Sequence, residues 1–127
     1  MKIAALIARV LLGLIFLVFG LNGFLNFLPM GPLPEGLAGQ FLSALAQSHY
    51  VLLVSALQLV GGVLLLVNRY VPLGLTLLGP VIVNIFFFHL LMAPSGLPIA
   101  ILVVILWGIV VLRHRQYFSG IFVQRAS

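Results

Sequence analysis

Residues 51–92 read VLLVSALQLVGGVLLLVNRYVPLGLTLLGPVIVNIFFFHLLM, two long apolar runs that are interrupted only by the tripeptide at 68–70. Each run is close to the ~20 residues that an α-helix needs to span ~30 Å of hydrocarbon. Two further apolar runs flank this stretch, and the last one extends into an interfacial end marked by Trp107 and the basic residues at 113–115. The sequence predicts one domain, residues 1–127, with transmembrane helices at about 3–27, 50–68, 71–92 and 97–117.

The composition excludes a water-soluble fold. Hydrophobic residues make up 64% of the chain and charged residues 6%, whereas soluble domains average about 25% charged residues. The formal net charge of +5 does not indicate nucleic-acid binding, because the basic residues stand singly at the ends of apolar runs and form no water-facing patch. We therefore predict an all-α integral membrane protein, a four-transmembrane-helix bundle in the lipid bilayer with no nucleic-acid partner.

The basic residues predict how the chain crosses the membrane, because Lys and Arg stay on the cytoplasmic side during insertion. With the N-terminus inside, the cytoplasmic side receives Lys2, Arg9, Arg69, Arg113, Arg115 and Arg125. The two outer connections, about 28–50 and 93–97, contain no Lys or Arg, so both termini are predicted to be cytoplasmic. The first apolar run is too long for the core of a signal peptide and lacks a clear cleavage site, so we expect a mature helix.

The long outer connection, about 28–49, predicts a loop followed by a helix in the interface plane. Its first part is not helical because it contains Pro29, Gly31, Pro32, Pro34 and Gly36. Residues 37–48 then recover a helical period. The apolar side carries Leu37, Phe41, Leu42 and Leu45, and the polar side carries Gln40, Ser43 and Gln47. We predict an outer interfacial amphipathic helix that caps the mouth of the bundle.

Small residues predict which helices pack closely, since helix association in lipid depends on close approach. The first helix presents a face of Arg9, Gly13, Phe16, Gly20, Gly23 or Phe24, and Phe27 at three-to-four spacing. The second helix presents Val51, Ser55, Gln58 and Gly62. The side chain of Arg9 has two alternatives: it extends to the cytoplasmic headgroups, or it turns inward to backbone carbonyls or to Asn68.

Five polar side chains inside the predicted spans form the candidate site: Asn22, Asn26, Gln58, Asn84 and His89. At 1.5 Å per residue they fall between the midplane and the outer interface, so we expect them to converge in the outer half of the bundle. They either hydrogen-bond one another across helices, or they line a pocket for a quinone carbonyl or a lipid headgroup. A bend at Gly79-Pro80 in the third helix is either structural only or shapes a cavity.

Autonomous catalysis has little support in the sequence. Glu35 is the only acidic residue, so no carboxylate pair exists for general acid and base chemistry. There are no cysteines, which excludes thiolate ligation of a metal. No catalytic residues and no metal site are predicted, and a redox role requires a bound cofactor or a partner.

The chain resembles the DoxX-like family of small four-helix bacterial membrane proteins. The resemblance rests on four segments: RVLLGLIF at 9–16, FGLNGF at 19–24, QLVGG at 58–62 and RYVP at 69–72. It implies a bacterial inner-membrane protein linked to membrane oxidoreductase assemblies, since relatives include the small subunit of a thiosulfate:quinone oxidoreductase. Two departures stand out: Gln58 occupies a position that is often acidic in the family, and neutral residues replace a lysine near the end of the first helix.

The sequence therefore predicts an accessory membrane subunit of a quinone-linked redox system. We expect it to bind a quinone-like or lipid-like molecule in the outer half of the bundle, to work with a membrane oxidoreductase, and to form homo-oligomers. Two alternatives stay open at this point. One is an oligomeric transporter of small molecules or lipids, and the other is a non-catalytic membrane scaffold.

Overall fold

The computed structural model describes residues 2–28 and 32–125, and within these ranges it is helical without strands. The helices are α1 (Lys2–Leu25), α2 (Leu37–Gln47), α3 (Tyr50–Val67), α4 (Val71–Leu91) and α5 (Leu97–Arg113), with 3₁₀ segments at Pro94–Gly96 and Arg115–Phe122. By length and composition, four helical stretches of the described chain can cross a membrane: α1, α3, α4 and Pro94–Arg113. The predicted four-helix membrane fold is confirmed; Pro29 and Gly31 lie outside the described residues.

The four spanning helices form a closed ring. Helix α1 packs against α3 and α5, and α4 packs against the same two helices, so each helix is antiparallel to its neighbours. The fully buried side chains at the centre are Leu12, Phe16, Leu65, Leu75, Leu78 and Val110. Large apolar side chains also cover the outside of the ring, as expected of a surface whose solvent is lipid. We call the end of the ring that carries α2 the outer end.

Helices α1 and α3 touch backbone to backbone, as their small residues predicted. A Cβ atom added at Gly20 would lie 2.7 Å from the backbone nitrogen of Leu59, and one added at Gly62 would lie 2.9 Å from the carbonyl oxygen of Gly13. Nearer the outer end, Gly23 faces Ser55, which is buried. Only glycine leaves room for an approach this close, and such contacts maximise van der Waals packing between helices in lipid.

The turn between α3 and α4 is fixed by a Schellman motif. Asn68 has φ 57°, its N–H donates to the carbonyl of Leu65 (3.3 Å), and the N–H of Arg69 donates to the carbonyl of Leu64 (3.2 Å). Asparagine tolerates this left-handed conformation better than most residues. Pro72 then occupies the first turn of α4, where its missing N–H is not needed.

Arg9 turns inward. Its guanidinium donates to the carbonyl of Leu65, so the alternative of an arginine bonded to a backbone carbonyl is the one that the structure adopts. The carbonyl lies at the C-terminal end of α3, where the helix dipole favours a positive charge. This bond ties α1 to the α3–α4 turn.

The interfacial helix is amphipathic, with one correction to its predicted face. Leu42 and Leu45 are partly buried and Ala38 is buried, but Leu37 is 68% exposed, because it begins the helix beyond the bundle. Helix α2 contacts α3, and the rings of Phe41 and Phe88 pack at 5.4 Å between centroids. Helix α2 is therefore held to the outer end of both α3 and α4.

The last helix is shorter than predicted. We expected an α-helix to about residue 117, but α5 ends at Arg113 and continues as a 3₁₀ segment. His114 leaves the helical region (φ −110°, ψ 20°), and its Nδ1 hydrogen-bonds the Val110 carbonyl at 2.9 Å. Beyond Leu112 most side chains are exposed, so the tertiary packing that maintains an α-helix is lost.

Candidate functional site

Asn22 and Asn26 end helix α1. Asn26 has φ 52°, and its N–H donates to the carbonyl of Asn22 at 2.8 Å. The Asn22 side chain is buried, and its Oδ1 accepts the N–H of Leu28 at 2.8 Å. Both residues therefore satisfy backbone groups at a helix end, and α1 stops at Leu25, two residues earlier than predicted.

Asn84 lies on the outside of the ring. Its side chain is exposed, and Nδ2 donates to the carbonyl of Pro80, one turn earlier in the same helix, at 2.8 Å. The expectation that Asn84 faces the interior is wrong for the single chain, because the buried side of α4 is formed by Leu75, Leu78 and Ile82. Gln58 is partly buried on α3.

His89 lies at the outer end of α4, between that helix and the connection to α5. Its Nδ1 is 2.9 Å from the carbonyl of Ile85, so Nδ1 carries the proton in this bond and Nε2 of the neutral ring is an acceptor. The ring lies against Gly96: a Cβ added there would be 2.2 Å from Cδ2 and 2.5 Å from Nε2 of His89. His89 is partly buried, and it presents an acceptor close to the α4–α5 connection.

The five predicted residues do not line a common cavity in the described structure. In residues 2–28 and 32–125, no fully buried side-chain nitrogen or oxygen lacks a hydrogen-bond partner, so the interior holds no polar group that needs a ligand. A shallow depression of about 490 Å³ lies between residues 33–36 and α2, and none of the five residues lines it. Their role in ligand binding stays a prediction.

A second cleft, which we call the α4–α5 cleft, lies on the lipid-facing side of these two helices. It has a volume of about 190 Å³, and it is lined by Gly79, Ile82, Val83, Phe86, Phe87, Val104 and Trp107. All seven residues are apolar or aromatic. The volume is below the ~300–1,000 Å³ of pockets that enclose a drug-sized ligand. The cleft therefore has room for a segment of an apolar chain and not for a whole cofactor.

Trp107 and Gly79 create this cleft. The indole Nε1 of Trp107 donates to the carbonyl of Leu75 at 3.0 Å, which fixes the ring across the gap between the helices. A Cβ added at Gly79 would lie 3.5 Å from Cζ2 of the indole, so glycine leaves open space beside the ring. Since Pro80 follows, the cleft begins where the proline interrupts the helical hydrogen bonds of α4.

His89 lies just beyond the outer end of the α4–α5 cleft. Ile82, Phe86 and His89 follow one another at four- and three-residue spacing, which places them on one side of α4. His89 is about 4.5 Å farther along the helix axis than Phe86. A molecule with an apolar chain in the cleft would thus have its polar head near the imidazole and the backbone of the α4–α5 connection.

Sequence reasoning left open a cavity at Gly79-Pro80, but it did not place Trp107 there and assigned this residue to an interfacial end of the last helix. Trp107 lies six residues before Arg113 and is bonded inside the bundle. The signal was present in the chain: an indole N–H in hydrocarbon needs an acceptor, and the one tryptophan stands within an otherwise apolar helix.

Comparisons with protein-family models, curated proteins and solved structures find no match for this chain. The resemblance to DoxX-like proteins therefore stays a prediction from the four quoted segments.

Proposed function

We propose that the chain is an accessory membrane subunit that binds the apolar chain of a quinone-like or lipid-like amphiphile in the α4–α5 cleft. The observation that carries this proposal is an entirely apolar cleft that opens to the lipid and leads to a histidine. The Nε2 acceptor of His89 recognises a hydroxyl head, such as that of the reduced quinol form or of a lipid, and the aromatic walls at Phe86 and Trp107 hold the chain. Of the five residues predicted as a site, His89 is the one that this geometry favours.

Quinones and phospholipids share the chemistry that this site requires, a polar head on a long apolar chain. The cleft extends about 12 Å along α4 from Gly79 to Phe87, which suits a few methylene or isoprenoid groups. It has no polar lining to orient a head at depth. The head is therefore bound at the outer end, where a redox-active ring is accessible to another protein.

The wider biological setting is part of the same proposal. The absence of carboxylate pairs and thiols from the sequence favours a partner oxidoreductase that performs the electron transfer. The resemblance to DoxX-like proteins favours a bacterial inner membrane protein, and the distribution of Lys and Arg favours both termini in the cytoplasm. Because the chain has no cysteine, single cysteines introduced at residues 95 and 124 test this orientation: a membrane-impermeant thiol reagent applied to whole cells would label the first and not the second.

The test of ligand binding uses the tryptophan in the cleft. Trp107 is the chain's one tryptophan, so its fluorescence reports on this site. Titration of the protein in lipid nanodiscs with a short-chain ubiquinone should give saturable quenching. The Gly79→Leu variant fills the cleft and should remove the saturable component. Gly108→Leu is the matched control, because a Cβ there meets nothing within 4 Å, and it should behave as the wild type.

Quenching that rises linearly with quinone and is equal in all three proteins would show only partition into the lipid, and would contradict the proposal for quinones. Competition by phospholipids with brominated acyl chains separates a lipid ligand from a quinone. If neither the quinone nor the brominated phospholipids gave a saturable change in Trp107 fluorescence, the scaffold alternative would be favoured. The observation on the side of that alternative is that the amides of Asn22 and Asn84 bond to backbone groups near their own positions.

A further inference from the structure

Asn84 is a polar side chain in a position where lipid is expected. It lies 13 residues after the start and seven before the end of α4, about 20 Å from one end of the span and about 10 Å from the other. It is exposed on the single chain. Polar residues at such depth normally face other helices or a water-filled cavity, so the fold of one copy does not account for its position.

The intrachain hydrogen bond leaves half of the amide unused. An asparagine side chain has two donor hydrogens and an acceptor oxygen with two lone pairs. One hydrogen goes to the Pro80 carbonyl at 2.8 Å. Within residues 2–28 and 32–125, Oδ1 accepts no hydrogen bond and the second hydrogen has no acceptor. In hydrocarbon, where water is absent, unsatisfied polar groups are costly.

Asn84 belongs to a continuous exposed face of α4. This face, which we call the Asn84 face, consists of Leu73, Thr76, Pro80, Asn84 and Leu91, all exposed. Their spacing of three, four, four and seven residues keeps them on one side of the helix. None of the five lines the α4–α5 cleft, but Phe87, which is exposed between Asn84 and Leu91, does, so this surface adjoins the proposed ligand site without including it.

We infer that the Asn84 face binds the same face of a second copy of this chain. Copies inserted into one membrane have the same orientation, so their α4 helices are parallel and related by a two-fold axis along the membrane normal. The two Asn84 side chains then lie at equal depth. The free Nδ2 hydrogen of each donates to Oδ1 of the other, which satisfies both amides reciprocally.

A second copy fits better than other occupants because the amide is its own complement. A lipid chain offers Asn84 neither a donor nor an acceptor. A different protein would need its own amide or hydroxyl at the same depth, whereas a second copy supplies one by symmetry. Thr76 and Pro80 are compact, and the Thr76 hydroxyl donates to the Pro72 carbonyl of its own helix at 2.9 Å, so two such faces can approach closely.

The test is cross-linking in the membrane, which the cysteine-free chain makes specific. The reporter is Thr76→Cys, because residue 76 lies on the proposed interface and Asn84 is retained. Ile105→Cys is the control, since Ile105 is 52% exposed on α5 and lies off the interface. Under mild oxidation, the Thr76→Cys protein should form a disulfide-linked dimer of twice the 13.8 kDa chain mass in several-fold higher yield than the Ile105→Cys protein.

The role of the amide is tested by a second substitution in the Thr76→Cys background. Asn84→Leu should weaken association about tenfold, as expected for the loss of two interhelical hydrogen bonds, and Asn84→Gln should retain dimers. Folding is not at issue, because the amide bonds only to its own helix. Three outcomes would each overturn the inference. They are equal cross-linking yields for Thr76→Cys and Ile105→Cys, a dimer yield that Asn84→Leu does not change, and a cross-linked product that contains a different protein.

Discussion

The close approach of α1 and α3 makes a quantitative prediction for Gly20→Ala. The added Cβ would lie 2.7 Å from the backbone nitrogen of Leu59 and 2.9 Å from its Cα, whereas ordinary contacts begin near 3.4 Å. Neither atom belongs to a flexible side chain, so the two helices must separate by roughly 0.7 Å. Overpacking of this kind costs about 1–3 kcal/mol, and we expect that loss in the free energy of unfolding.

Equilibrium unfolding in mixed micelles of increasing denaturing-detergent content, followed by circular dichroism, measures this change. Gly108→Ala is the matched control, because it is the same substitution within a spanning helix where a Cβ meets nothing within 4 Å. It should leave the free energy of unfolding unchanged or raise it slightly. If Gly20→Ala is as stable as Gly108→Ala, the α1–α3 contact is not as close as described and the packing argument fails.

Three further substitutions test individual hydrogen bonds. Arg9→Met removes the charged guanidinium from its carbonyl on α3 and should lower the free energy of unfolding by about 1.5–3 kcal/mol. Lys2→Met, at an exposed position, should not, and equal losses in the two variants would contradict the account. Asn22→Leu removes the acceptor for the Leu28 N–H, so hydrogen exchange at that amide should accelerate; unchanged exchange would argue against the cap. Trp107→Phe keeps an aromatic ring but loses the bond to α4, and a destabilisation of about 1 kcal/mol is expected, whereas wild-type stability would show that the bond is unimportant.

The sequence predicted the number and position of the spanning helices because lipid imposes a simple requirement on length and polarity. It also predicted the α1–α3 contact, since glycines at helical spacing within a span allow two backbones to approach closely. Helix ends were less accurate. Asn26 adopts a left-handed conformation and the Asn22 side chain accepts the Leu28 N–H, while the His114 ring bonds to the Val110 carbonyl. Hydropathy does not register such local features.

The sequence predicted how deep in the membrane the candidate residues lie, but not which side of the helix they occupy. Counting residues along α4 gives the height of Asn84 and His89 reliably, but both the inner and the outer side of a membrane helix are apolar. Hydrophobic periodicity therefore does not tell which side faces the bundle. The structure places His89 on the side of Ile82 and Phe86, and Asn84 on the exposed side with Pro80. The α4–α5 cleft depends on that rotation and on the inward bond of Trp107.

Native mass spectrometry of the protein released directly from lipid, with solvent extraction of the molecules that copurify, tests the proposed function most directly. The account predicts one quinone or lipid molecule per chain in the wild type and in Gly108→Leu, and its loss in Gly79→Leu, where the cleft is filled. A wild-type chain that carries no such molecule, or a molecule that is retained equally in Gly79→Leu, would contradict binding in the α4–α5 cleft.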